Sequence, residues 1–416
     1  MSDGDWGSGG GADWGSGGAD LGGGGDSFTE RSYQGWFSRL TGALIGIPIG
    51  LLMFLGSFVL LFWNEGRSVT AAKSLAEGKS AVVSIPADKV DSSNDGKLVH
   101  LSETATVDEL VKDPMFLISS KALRLFRKAS MYQWQEKKET RTRTRAGGGQ
   151  ERTTTYHYSK TWSSDAISSA SFKQPSGHQN PPMSIHSSKI NANVVKLGSF
   201  RLSEELLNRI DKSEPLPVTR AEFDALPDSL KSRFKLEGSL LYDGADPQSP
   251  AVGDTKVEFA IVPSQSVSLL AEQKGDSFGP YQTQAGNSIE RLELGNIPAD
   301  QMFAHAEAEN KVLTWILRLV GFILMTVGIM IVLGPLKVFA DVLPFIGSIV
   351  GMGTGFFALG VSIVLSPIVI GVAWLAYRPI LGAGCLAGSL ALLFVVTRLG
   401  RNRYQDRMAH TVPSAR

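Results

Sequence analysis

The sequence predicts an α+β membrane protein: four helical spans, with a large extracytoplasmic (lumenal or periplasmic) α+β domain between spans 1 and 2. Three observations carry this expectation. Leu40–Trp63 holds no charged residue over 24 positions, which at about 1.5 Å per helical residue exceeds the roughly 30 Å hydrocarbon core of a bilayer. A second block of apolar segments fills residues 313–397. Between them, residues 64–312 have an ordinary soluble composition and are numerous enough to bury a substantial core. The totals conceal this division. Net charge over 416 residues is +1 and mean hydropathy is +0.01, yet the charge runs −4 over residues 1–39, −1 over 40–312 and +6 from 313 onward.

Residues 1–39 read as a disordered, Gly-rich cytoplasmic tail. The first 25 residues contain 12 glycines, and Asp5-Trp6-Gly7-Ser8-Gly9-Gly10 recurs as Asp13-Trp14-Gly15-Ser16-Gly17-Gly18. So few apolar side chains do not offset the entropy of ordering. No strand precedes these glycines and no Gly-Lys-Ser/Thr follows, so a phosphate-cradling loop is a poor reading. Residues 40–63 form the first span. The run ends in Phe62-Trp63-Asn64-Glu65 rather than at a small-residue cleavage site, so it reads as a retained anchor, with Trp36 and Trp63 at its interfaces.

In residues 64–312, Arg124–Glu136 and Arg152–Trp162 are rich in strand formers, and Arg141–Gln150 between them reads as a long hairpin turn. Thr255–Val262 alternates as a strand, and Ser266–Glu272 pairs with it. Short helices fit Val69–Lys79, Ser203–Asp211 and Ala221–Leu226, the last with Thr219 and Glu222 spaced as a capping box. Residues 313–397 hold three further spans. These are Val312–Leu333, Thr354–Ala376 and Pro379–Thr397, with an interfacial or re-entrant segment over Val338–Gly353 and a kink at Pro367. Residues 398–416 form a basic tail.

Arg398, Arg401, Arg403 and Arg407 follow the last span, and Arg31 and Arg39 precede the first. Positive residues near span ends stay cytoplasmic, which places both termini in the cytoplasm and residues 64–312 outside. The membrane is then the inner membrane of a bacterium, or an endomembrane of a eukaryote.

Little here carries catalytic chemistry. A net charge of +1 excludes a chain-wide nucleic-acid surface. The one cysteine, Cys385, lies in a span and excludes a disulfide framework. No Gly-x-Ser-x-Gly elbow or His-x-x-x-His pair occurs, and His178 and His186 read as loop histidines. Asp243, Asp246 and Asp254 miss calcium-loop spacing and read as turn formers. Lys137, Lys138, Arg141, Arg143 and Arg145 form the densest basic patch, read as a solvated turn that protects a hairpin edge. No catalytic, cofactor or metal residue is assigned. Small residues are more informative. Gly42, Gly46 and Gly50 recur every fourth position on one helix face, and Gly351 with Gly355 and Gly384 with Gly388 repeat the spacing of close helix packing. Arg318 is the one charge placed within a span, near enough to its end to snorkel.

Several motifs then point to a family. They include Asn64-Glu65-Gly66-Arg67 after the first span and Ala72-Lys73-Ser74-Leu75-Ala76-Glu77-Gly78. Further along come Gly96-Lys97-Leu98-Val99-His100, Met131-Tyr132-Gln133-Trp134 and Gly177-His178-Gln179-Asn180-Pro181, then Val252-Gly253-Asp254 and Trp374-Leu375-Ala376-Tyr377-Arg378-Pro379. In this order they resemble the transmembrane protein 43 (LUMA) family over about residues 33–400. The resemblance implies a multi-pass protein with a lumenal domain, and no catalytic residues or cofactor. Animal members sit in the endoplasmic reticulum and inner nuclear membrane, self-associate and help organise membrane protein complexes. The expected partners are therefore membrane lipids, other membrane proteins and further copies of the chain. In that reading Tyr132 and Trp134 build the sheet core. A lipid-binding or lipid-sensing protein is the alternative, and a channel subunit a weaker one.

Overall fold

The computed structural model describes residues 26–380 and 382–384. Nearly all of the expected span Pro379–Thr397, with Cys385 and Gly388, and the stretches 1–25 and 398–416 lie outside the described residues. The principal strands are β1 (Ser27–Gln34), β2 (Leu98–Thr106), β3 (Arg124–Thr144), β4 (Gln150–Ser163), β5 (Thr255–Val262), β6 (Gln265–Lys274) and β7 (Arg291–Leu294). The principal helices are α1 (Trp36–Ala81), α2 (Ala299–Val332), α3 (Gly334–Ala340) and α4 (Pro344–Tyr377).

Two antiparallel sheets make the soluble domain. One runs β1-β4-β3-β5 and continues into Leu240–Asp243 and Lys235–Glu237; in the other, β6 lies between β2 and β7, so β5 and β6 belong to different sheets and do not pair as the sequence suggested. A continuous apolar cluster draws Leu125, Ala129 and Met131 from β3, Val257 and Phe259 from β5, and Leu101 and Leu269 from the second sheet. On β3 the buried residues are the odd-numbered ones from Leu125 to Gln133. The period of two in side-chain direction therefore puts Tyr132 and Trp134 on the opposite face, half-buried, not in the sheet core where the sequence reading placed them. The capping box forms as its spacing requires: Thr219 accepts from the Glu222 amide and the Glu222 carboxylate accepts from the Thr219 amide.

The helices run on where composition suggested boundaries. α1 continues for 46 residues, about 69 Å at the helical rise, so the apolar run and the expected helix Val69–Lys79 are one rod. α2 likewise starts 13 residues before Val312. The segment Val338–Gly353 divides between α3 and the first turns of α4, and α4 passes through Pro367 without ending. α1, α2 and α4 are each long and apolar enough to cross a membrane. Ile45, Leu52 and Val59, spaced at seven, are 66%, 74% and 70% exposed. A stripe of that size facing outward is suited to lipid.

The N-terminal segment departs from expectation. Ser27–Gln34, read as part of the disordered tail, forms β1 and pairs with β4 from Ser27↔His157 to Gln34↔Gln150. The low-complexity argument holds only for the glycines before it. Phe28, Thr29 and Tyr33 favour a strand, and Phe28 packs near Tyr156. The β3–β4 ladder likewise persists to Thr144↔Gln150, so the expected turn shrinks to residues 145–149. The basic patch thus lies along a three-stranded ribbon, with Arg141 paired to Glu139 and Arg145 to Glu151.

The ribbon tip meets the far end of the helix bundle. The Arg39 guanidinium donates to the Gly148 carbonyl and pairs with Asp341, both charged groups being buried. The Trp36 indole donates to the Val338 carbonyl (2.8 Å), and the Gly147 amide donates to the Val342 carbonyl (3.0 Å). Gly148 has φ +78°, and a Cβ there would strike the Trp36 ring. The ladder holds Ser27–Gln34 against Gln150–His157, which the charge-based orientation puts on opposite sides of the membrane. A Ser27→Cys, His157→Cys pair in a Cys385→Ser background is expected to form a disulfide on mild oxidation in native membranes. If the two cysteines instead react with an impermeant thiol reagent from opposite sides, the pairing is absent in the bilayer.

Candidate functional site at the membrane junction

The residues at which α1 leaves its apolar run face Asn310, Thr314 and Arg318 on α2, a set spaced at i, i+4 and i+8 on one helix face. Glu65 is 1% exposed. Its carboxylate accepts from Arg318 through Nε (2.7 Å) and Nη2 (2.9 Å), and from the indole of Trp374 on α4 (2.8 Å). One carboxylate thus ties three helices. A buried carboxylate needs both a counter-charge and donors for its lone pairs, and the bidentate guanidinium with the indole supplies them. Trp315 and Trp374 flank the Arg318 guanidinium at 4.7 and 5.8 Å from their ring centres. Arg318 therefore turns inward to Glu65, where the sequence reading let it snorkel outward.

One turn further, the Asn64 amide donates to the Thr314 carbonyl (3.0 Å). Arg67 donates to Asn310 Oδ1 (3.0 Å), Thr314 Oγ1 (2.9 Å) and Asn64 Oδ1. The Asn310 amide in turn donates to the Ser68 carbonyl (3.0 Å). Gly66 lies under the Tyr377 ring, and a Cβ there would come within 2.6 Å of it. The chain leaves α4 at Arg378 and Pro379 beside this layer. Higher on α1, Glu77 accepts from the amides of Gln284 (2.9 Å) and Ala285 (3.2 Å). Gly78 packs beneath Ile289, Leu98 and Phe303, and Lys73 is exposed.

Of the spaced glycines, Gly50 abuts Gly328 of α2 so closely that a Cβ would lie 2.8 Å from the Gly328 carbonyl, and Gly46 faces Ile331. Gly351 meets the alkyl chain of Lys337, whereas Gly42, Gly355 and Gly384 have open space around their Cβ positions among the described residues.

A second group assembles on the outer face of the β3–β4 ribbon. Asn180 accepts from the Trp134 amide (2.7 Å) and donates to the Trp134 carbonyl (2.9 Å), so its side chain substitutes for a strand partner. His178 meets Trp134 edge-on at 4.7 Å and stacks on Tyr158 at 3.9 Å. Burial, followed by its hydrogen bond to Glu136, pushes the Tyr158 hydroxyl up to about 12. Tyr132 packs on Trp162, and Pro181 approaches Gly253. Tyr242 and the Ala251 amide donate to Asp254, a turn role.

Most of these motifs gather in two places, the junction layer and the ribbon face, whereas residues 96–100 lead into β2 of the second sheet. The family model described as Transmembrane protein 43 matches residues 131–379. The chain is 34% identical over 373 residues to transmembrane protein 43 of Rattus norvegicus, covering 86% of this chain and 92% of that protein. The chain belongs to the transmembrane protein 43 family. It is 33% identical to the Homo sapiens protein, over 88% of this chain and 93% of that one. It is 28% identical to the Drosophila melanogaster homolog, over 81% and 90% respectively. No solved structure matches it. Transmembrane protein 43 membership accounts for the motif order, and the contacts at the junction and on the ribbon face give those motifs their physical roles. Sequence reasoning missed the Glu65–Arg318 pair, whose available signal was a charge inside one span and another just past the end of a second.

Removing Arg318 strands a buried carboxylate, so Arg318→Leu is expected to destabilise the helix bundle by about 3–5 kcal/mol in detergent unfolding. The double substitution Glu65→Leu, Arg318→Leu should cost less than Arg318→Leu alone. Wild-type stability in the single variant would show that the pair does not hold the bundle.

Proposed function

We propose that this family member is a non-enzymatic membrane scaffold that self-associates and organises other membrane proteins around a soluble domain held at fixed orientation. The observation that carries the reading is the continuity of α1 and α2 from the apolar bundle into the soluble domain, keyed by the Glu65 carboxylate. A domain on two unbroken helices cannot swivel as one on a loop does, so partners docked on it keep a set geometry relative to the membrane. Among the described residues nothing packs on Gly42 or Gly355, which leaves room for the close approach of a further helix and supports contact between copies.

Cross-linking in native membranes followed by mass spectrometry is expected to capture homo-oligomers together with other membrane proteins. Gly42→Leu with Gly355→Leu should reduce the homo-oligomer while leaving the melting temperature in detergent unchanged. Capture of monomers alone would end the scaffold reading.

A further inference from the structure

A cavity of about 300 Å³ opens between α1, α2 and the segment 287–291 that leads into β7. Arg67, Ala71, Arg291, Glu309, Asn310 and Leu313 line it. Its depth is set by the sequence. Arg67 stands four residues, about 6 Å of helix, past the end of the apolar run at Trp63, and Leu313 belongs to the apolar run of α2. The cavity therefore spans the layer in which phospholipid headgroups lie, with an apolar floor toward the hydrocarbon.

Its charge is unbalanced. Arg291 is neutralised by a bidentate pair with Glu309 (2.8 and 2.9 Å) and by Glu293 (3.4 Å). Among the described residues, the bonds of Arg67 go to the neutral oxygens of Asn64, Asn310 and Thr314 and to no carboxylate. Glu65, the nearest acid on α1, is taken up by Arg318 and Trp374. Arg67 is thus a guanidinium without a carboxylate partner among the described residues, at a cavity that lacks an anion. Guanidiniums match tetrahedral oxyanions in shape and charge.

We propose that this cavity binds a phosphate group, presented at this depth by the headgroup of an anionic phospholipid whose chains run down past Leu313. The inference is separate from the scaffold reading, since a monomer could hold the lipid equally well.

The test uses the full chain in detergent, probed by native mass spectrometry with dioleoyl-phosphatidylglycerol, with dioleoylglycerol as the phosphate-free control. The wild-type protein is expected to retain phosphatidylglycerol through collisional activation and to release dioleoylglycerol. Arg67→Gln should lower retention about tenfold, the factor supplied by one charge-assisted hydrogen bond. Ala71→Phe, which fills the cavity without touching a charge, should lower retention by excluding the headgroup. If Arg67→Gln does not fold, Ala71→Phe carries the test. A separate arm adds millimolar inorganic phosphate. A rise in melting temperature for wild type but not for Ala71→Phe supports the phosphate chemistry with the soluble ion as its source. Equal retention by wild type and folded Ala71→Phe, or retention of dioleoylglycerol as strong as that of phosphatidylglycerol, overturns the proposal.

Discussion

The Glu65 carboxylate is the constraint on which the rest of the architecture depends, because it is an acid held almost wholly out of water where the membrane helices meet the soluble domain. A carboxylate there is tolerable only with its lone pairs filled by well-placed donors, and α2 contributes two through Arg318 and α4 one through Trp374. The requirement fixes the rotation of α2 about its axis, since Arg318 must point at α1. It also fixes the height of α4, since Trp374 must reach the same atom. Hydrophobic packing alone would leave both open. Helices in lipid gain little from burying apolar side chains against each other when the surrounding chains are equally apolar.

Continuity follows from the same layer. Asn64, Arg67, Asn310 and Thr314 exchange hydrogen bonds in the turn immediately above Glu65. Those polar groups would be unpartnered if either helix broke at the boundary of its apolar run. Neither helix does, and each continues until it packs on the second sheet, where Leu98, Leu270, Met302 and Phe303 form a small cluster of their own beneath Gly78. The soluble domain is thereby seated on the bundle through side chains rather than through a linker.

How much of this the sequence discloses depends on the range of the interaction. Periodicity and turn chemistry are local, so the strands around Arg124 and Thr255, the capping box at Thr219 and the apolar helices are legible in it. The ends of elements are set by partners distant in sequence. α1 passes Trp63 because α2 covers its polar turn, and β1 forms because β4 offers an edge. Arg318 shows the limit most clearly. As a single residue near the end of an apolar run it has two ways to avoid lipid, outward to the interface or inward to an acid. The choice rests on a residue 253 positions away. The glycines at 42, 46 and 50 carry a similar ambiguity, because spacing marks a face for close approach without naming the helix that approaches. The structure gives Gly50 to α2 of the same chain and leaves Gly42 open.

The two ends of the bundle obey one rule. Arg39 with Asp341 lies at the far end and Glu65 with Arg318 at the near end, and the 26 residues of α1 between them span about 39 Å. Between the pairs the contacts are apolar or between small groups: Gly50 on Gly328, Leu61 on Gly321, and Leu61 with Met325 and Val369. Such contacts allow helices to slide by a turn at little cost, because one small residue or leucine resembles the next. A buried ion pair does not allow it, since a shift of one turn strands both charges. Two pairs near opposite ends therefore set the register of α1 against α2 and against the α3–α4 turn. The glycines between them then need only permit closeness, not specify it.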